Sequence, residues 1–199
     1  MPTRVCTEPS IEGGTCRIKA TQQDILVFAH VDRCMTITVV LEDGLLGGHV
    51  SMCDEDTSEL NPTLSITNFA TKMKAMISGK IIKVIFVGAN TPKDQAGGAA
   101  HYTLRRALEA LGADTNKAGG GYLFVDTCDT EQAFDLFFDL GTQKMTIQRW
   151  RDDRSRDATA APPIRQDDIL LQDSYVTLAG KYDLGADGSR TRRAVRATG

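Results

Sequence analysis

Residues 24–52 read DILVFAHVDRCMTITVVLEDGLLGGHVSM. Ile25, Leu26, Val27 and Phe28 in succession predict a strand at 24–30 that is covered on both faces. A polar turn, Val31-Asp32-Arg33, ends in Cys34. Residues 35–41 are rich in β-branched side chains and predict a second strand, and Asp43-Gly44 is a strong two-residue hairpin signal. The return strand, 45–52, carries His49 directly after Gly47-Gly48, a pair that marks a bulge or a close backbone approach. A cysteine and a histidine on neighbouring strands are the minimum for a thiol nucleophile and its base.

The hairpin's register tests that pair. With Asp43-Gly44 as the loop, Leu45 pairs with Glu42, His49 with Thr38 and Cys53 with Cys34. Cys34 and His49 then share a face but stand four residues apart along the strand, about 13 Å. A bulge at Gly47-Gly48, strong twist or a folded-back turn would have to close the gap. His30, near Cys34 in sequence, is a rival base. His101 lies at a predicted helix start and reads as a surface or capping residue. Cys53, if opposite Cys34, could form a cross-strand disulfide under oxidising conditions.

Beyond the hairpin, Asn61 and Pro62 predict a helix start, as N-cap and first helical residue. Ile66, Phe69, Ala70, Met73, Met76 and Ile77 recur at three- and four-residue steps, a core-facing stripe that Gly79 ends. Residues 80–87 (KIIKVIFV) form a buried strand. A second helix runs from Gln95 or Ala99 to Leu111, with Gly112 as its stop. Residues 122–127 are a strand after Gly119-Gly120-Gly121, which has neither the lysine nor the following helix of a phosphate loop. Phe134, Leu136, Phe138 and Leu140 alternate with polar or outward residues, and Gly141-Thr142 turns that strand into 144–150. The fold class is α/β: a layered sandwich of a mixed β-sheet and two main helices, with strand and helix alternating over one sheet. Residues 1–15 read as a flexible N-terminal arm, 16–150 as the domain, and 151–199 as a charged, mostly disordered tail.

Composition narrows the class of function. The chain has 199 residues, 41% apolar and 25% charged, with net charge −3, as in an ordinary globular protein. That charge gives no basic field for nucleic acid. No apolar run reaches the ~18 residues of a membrane-spanning helix, and the N-terminus lacks the apolar core of a secretory signal. The five cysteines, Cys6, Cys16, Cys34, Cys53 and Cys128, are scattered. They contain no C-x-x-C spacing and suit reduced thiols in a cytoplasm better than a metal site or a disulfide scaffold.

Taken in order, VDRC at 31–34, GGH at 47–49, KIIKVIFVGAN at 80–90, HYTLRRALEALGA at 101–113, AGGGYLFVD at 118–126 and the last hairpin resemble the chemoreceptor glutamine deamidase (CheD) family. The fold of that family is shared by the catalytic domain of cytotoxic necrotising factor toxins. The resemblance covers about residues 16–150. It departs at two places: the turn before Cys34 lacks the family's glycine, and Phe28 stands where chemotaxis members have a threonine six residues before the cysteine.

The resemblance implies a cysteine hydrolase that deamidates glutamine side chains of a protein substrate, with Cys34 as nucleophile and His49 as base and then acid. Backbone N–H groups at Arg33 and Cys34 would form an oxyanion hole. No metal or organic cofactor, no nucleic acid and no membrane insertion is implied. The setting would be the cytoplasm, or a host cell reached without a signal peptide, as for a bacterial effector. Two alternatives use the same residues: a catalytically inactive protein-binding module, and a thiol peptidase or transglutaminase.

Overall fold

Proline lacks an amide proton and has a fixed φ, so it suits a helix's first position. Helix α1, Pro62–Lys74, begins there. In the computed structural model the described residues are 3–6, 14–19, 25–31, 34–50, 62–88, 99–113, 121–127, 134–149, 165–172, 175–177, 182–184, 190–192 and 195–196. Asn61, the expected N-cap, lies outside them. The second helix, α2, is Ala99–Leu111. The strands are β1 Thr3–Cys6, β2 Gly14–Lys19, β3 Ile25–Val31, β4 Met35–Leu41, β5 Gly44–Val50, β6 Ile81–Gly88 and β7 Tyr122–Asp126. They continue with β8 Phe134–Asp139, β9 Lys144–Arg149, β10 Arg165–Ile169, β11 Tyr175–Thr177, β12 Tyr182–Leu184, β13 Arg190–Arg192 and β14 Val195–Arg196.

The chain is a mixed α/β sandwich, but the strands do not share one sheet. One sheet has the order β1-β3-β8-β9-β10 and the other β14-β11-β7-β6-β4-β5-β2, while β12 and β13 pair separately. The short segment after Val31 therefore carries the chain from the first sheet to the second. The seven-stranded sheet is the middle layer. Met35, Ile37, Val39, Leu46, Val84, Phe86 and Phe124 pack with Ile66, Phe69, Met73, Leu104 and Leu108 of the helices. Its other face sends Leu45, Ile85, Val87, Leu123 and Val125 against Leu26, Phe28, Leu136, Phe138 and Ile147 of the five-stranded sheet. A strand buried on both faces needs apolar side chains at consecutive positions, which is how IIKVIFV and MTITVVL read.

The helical stripe is shorter than its periodicity suggested. Ile66, Phe69, Ala70 and Met73 are buried, but Met76 is 45% exposed. The helix stops at Lys74, and Met76 and Ile77 donate tightened-turn hydrogen bonds to the carbonyls of Met73 and Lys74. Gly79 follows with φ 93°, a conformation that favours glycine. Gly112, at φ 77°, ends α2 where expected.

Strand β3 carries an irregularity in its pairing with β8 between Phe28 and Val31. An extra residue there switches the side-chain alternation, so that Phe28 and Val31, three apart, both enter the inter-sheet core. Within the stretch read as an arm, β1 runs parallel to β3. Within the stretch read as a tail, β10 pairs antiparallel with β9, and β11 lies parallel to β7. The sequence RQDDI of β10 gives little strand signal because it is an edge strand: Ile169 is buried while Gln166 and Asp168 face out.

Candidate functional site

Hydrogen-bond pairing between β4 and β5 sets Leu41 opposite Gly44, Val39 opposite Leu46, Thr36 opposite His49 and Met35 opposite Val50. The two loop residues are thus Glu42 and Asp43, both exposed, not Asp43 and Gly44. Gly44 instead opens β5 with φ 148°, a conformation that L side chains rarely adopt. Tertiary contacts hold the turn there: the Glu42 amide donates to the Lys80 carbonyl at 3.2 Å, and the Ser78 hydroxyl donates to Asp43 at 3.4 Å.

That register halves the expected separation of the two candidate residues. Cys34, just before β4, is two positions from Thr36, the residue facing His49, or about 7 Å along the strand. No bulge interrupts the β4–β5 ladder. Gly47-Gly48 is instead a close approach. A Cβ on Gly48 would lie 2.4 Å from Phe69 Cε1 and 2.7 Å from Met73 Sδ, so α1 can pack down only because that side chain is missing.

Side-chain alternation places the cluster in the inter-sheet layer. Met35, Ile37 and Val39 belong to the helix-side core. Cys34 and Val40 pack against the opposite, inter-sheet core. Thr36 and Thr38 share that face by parity, as does His49 with Leu45. His49 is fully buried, and Cys34 is half-buried. The ring of Phe28 meets the His49 ring edge-on, with centroids 6.4 Å apart and an interplanar angle of 87°. Thr36 is fully buried too, and its hydroxyl makes no hydrogen bond among the described residues. Leaving such a group unpaired costs about 1–3 kcal/mol.

The surrounding rim is built from strand ends. Thr36 also pairs with Val87 of β6, and Gly88 pairs with Asp126 of β7. The Thr127 amide then donates to the Gly88 carbonyl at 3.0 Å, and Thr127 is buried. Thus the start of β4, the end of β5 and the carboxyl ends of parallel β6 and β7 lie on one border of the sheet, where open α/β sheets commonly place ligands. Thr36 and Thr127 escaped the sequence reading. The spacing Thr36-Ile37-Thr38 could have revealed the first, because alternating threonines in an otherwise apolar strand mark a face with polar business.

Of the other candidates, only the backbones of His30 and His101 are described. His30 lies on β3 of the other sheet, and His101 lies in the first turn of α2; their side chains are outside the described residues. Arg33, Cys53 and the expected oxyanion-hole amide at 33 are also outside them. Among the described residues, no group of three His, Cys, Asp or Glu side chains is placed to hold a metal ion.

A cleft of about 630 Å³ lies at the far end of the sandwich, between Val40, Ile82, Phe138, Ile169 and Leu170. Lys83, 8% exposed, lines it and donates from Nζ to the Leu171 carbonyl. Lys144 pairs there with Asp168 at 2.8 Å. The cleft is remote from Cys34 because Lys83 pairs with Val40, at the opposite end of β4.

No family model and no curated protein matches the chain. No helix of the described residues is long and apolar enough to cross a membrane.

Proposed function

We propose that this protein is a cysteine-dependent hydrolase of the CheD-like class that deamidates glutamine side chains on a protein substrate. The observation that carries the reading is the placement of Cys34 and His49 on one face of adjacent strands, two residues out of register. The layering of two sheets and two helices and the contact of Phe28 with His49 add support. Phe28 stands six residues before Cys34, where chemotaxis members of that family have a threonine, and a backbone carbonyl near Phe28 is a candidate to orient His49.

The chemistry divides between the two side chains. His49 takes the proton of the Cys34 thiol, and the thiolate attacks the side-chain carbonyl carbon of glutamine. The C–S bond forms as the carbonyl electrons move onto oxygen. Collapse of the oxyanion breaks the C–N bond, and the His49 imidazolium gives its proton to the departing ammonia. Neutral His49 then takes a proton from water, whose oxygen attacks the thioester. Glutamate leaves, and the thiol is restored. No redox partner enters. Each turnover gives the substrate a negative charge, which can switch an interface.

A half-buried thiol above a fully buried imidazole suits a protein-borne glutamine presented at the rim. Cytoplasmic action, or action inside a host cell, follows from the need for a reduced thiol. A second reading, a catalytically inactive binding module, is favoured by Phe28 itself, because an apolar ring meets His49 where a hydroxyl would orient it. A thiol peptidase or transglutaminase would use the same pair and reveal itself by cleavage or amine incorporation.

The test is the rate of Cys34 alkylation by iodoacetamide across pH, in the wild type and in His49→Ala. Reaction that begins well below the roughly 8.5 of an ordinary thiol, and moves upward in His49→Ala, establishes the activated pair. A slow thiol indifferent to His49 removes the enzyme reading and leaves the binding module.

A further inference from the structure

We infer that Thr36 is the positioning residue for His49. The inference rests on the Cys34–His49 reading. Thr36 is the direct cross-strand partner of His49, and such partners hold their Cβ atoms about 4.5–5.5 Å apart on one face. A threonine hydroxyl can swing across that distance by turning about its Cα–Cβ bond. The ring of Phe28 meets the imidazole at nearly a right angle and offers it no hydrogen-bond acceptor.

The state of the hydroxyl gives the second observation. Thr36 is 0% exposed, and its Oγ1 makes no hydrogen bond among the described residues. Valine has nearly the same shape, is at least as suited to a strand and leaves no polar atom to satisfy. A hydroxyl kept at that place therefore needs an occasion on which it is used. Proton transfer from Cys34 provides one. Once His49 takes the thiol proton, both ring nitrogens are donors, and Thr36 Oγ1 is the acceptor directly across the strand. Accepting from one ring N–H, it holds the imidazolium with its other N–H toward Cys34, the role that the third group plays in a nucleophile–base–orienter arrangement. Thr38, next on that face, stands opposite Gly47 instead.

The experiment compares Cys34 alkylation against pH in the wild type, Thr36→Val, Thr36→Ser and His49→Ala. Thr36→Val is expected to move the profile in the same direction as His49→Ala and to slow alkylation at neutral pH by about tenfold. Thr36→Ser is expected to restore the wild-type profile, because it returns the hydroxyl. A purely structural role would not produce that split between two small changes. A Thr36→Val profile identical to wild type, beside a displaced His49→Ala profile, overturns the role of Thr36 and leaves the Cys–His pair standing. Identical profiles in all four proteins overturn the pair itself. Titration of the His49 ring by NMR provides the second readout: an unchanged titration in Thr36→Val also overturns the inference.

Discussion

Phe28 of β3 and His49 of β5 belong to different sheets, yet their rings meet edge to face with centroids 6.4 Å apart. Both side chains are fully buried. The contact fastens the five-stranded sheet to the seven-stranded one. Phe28→Leu keeps the apolar volume close to native and removes the aromatic edge. The expected loss is about 1–2 kcal/mol, read as a lower denaturant midpoint at unchanged slope.

At Gly48, Phe69 and Met73 of α1 pack directly onto the backbone of the middle sheet. Gly48→Ala puts a methyl group 2.4 Å from Phe69 Cε1, which something must relieve. Overpacking of this kind costs about 1–3 kcal/mol. Phe69→Leu in the same chain is expected to recover part of that cost, so the double variant should be more stable than the sum of the two single changes predicts. Urea unfolding of the four proteins measures the coupling.

Asp168 accepts hydrogen bonds from Lys144 at 2.8 Å and from Thr146 at 2.8 Å. The Lys144 hydrogen bond is the largest cause holding its carboxyl below the usual 3.8; burial opposes it, and the Thr146 hydrogen bond and the Lys144 charge add to the lowering. A carboxyl whose folded value is depressed stabilises the fold above its unfolded value. That contribution is fully present above about pH 4 and fades as the pH falls through the lowered folded value. Both partners are about half exposed, so the effect is small, within ~1 kcal/mol. Asp168→Asn should lower stability at neutral pH by up to that amount and leave it nearly unchanged in strong acid, so that the acid limb of the stability curve is flatter.

Lys83 ties the start of β6 to the turn after β10 through the Leu171 carbonyl. Lys83→Met fills similar space without the donor, and the half-buried Leu171 carbonyl loses a hydrogen bond worth about 1 kcal/mol. Hydrogen exchange at residues 169–172 should quicken. The Cys34 alkylation profile should stay as in the wild type, because Lys83 sits four residues, about 13 Å, from Val87 along β6, and Val87 is the partner of Thr36.

Elements were legible where a local rule acts alone. Pro62 marked the start of α1, Gly112 the end of α2, and the Phe134–Phe138 alternation the inward face of β8, because proline geometry, positive φ and a two-residue period belong to the chain itself. Met76 misled because its position fits the helical stripe while the helix has already ended. The edge strand β10 left little mark because pairing to β9 requires backbone groups, which every residue has. Thr36 was hidden inside an apolar run whose two faces meet different layers.

From its own residues the chain determined the apolar strands, the two helices and the presence of Cys34 and His49 on successive strands, since burial periodicity is written in side-chain order. Only the tertiary structure decided that the strands divide between two sheets and that Thr36 faces His49. Hydrogen-bond register is a relation between segments: the Glu42 amide reaching the Lys80 carbonyl and the positive φ of Gly44 move the turn by one residue. That shift brings Cys34 and His49 from four residues apart to two.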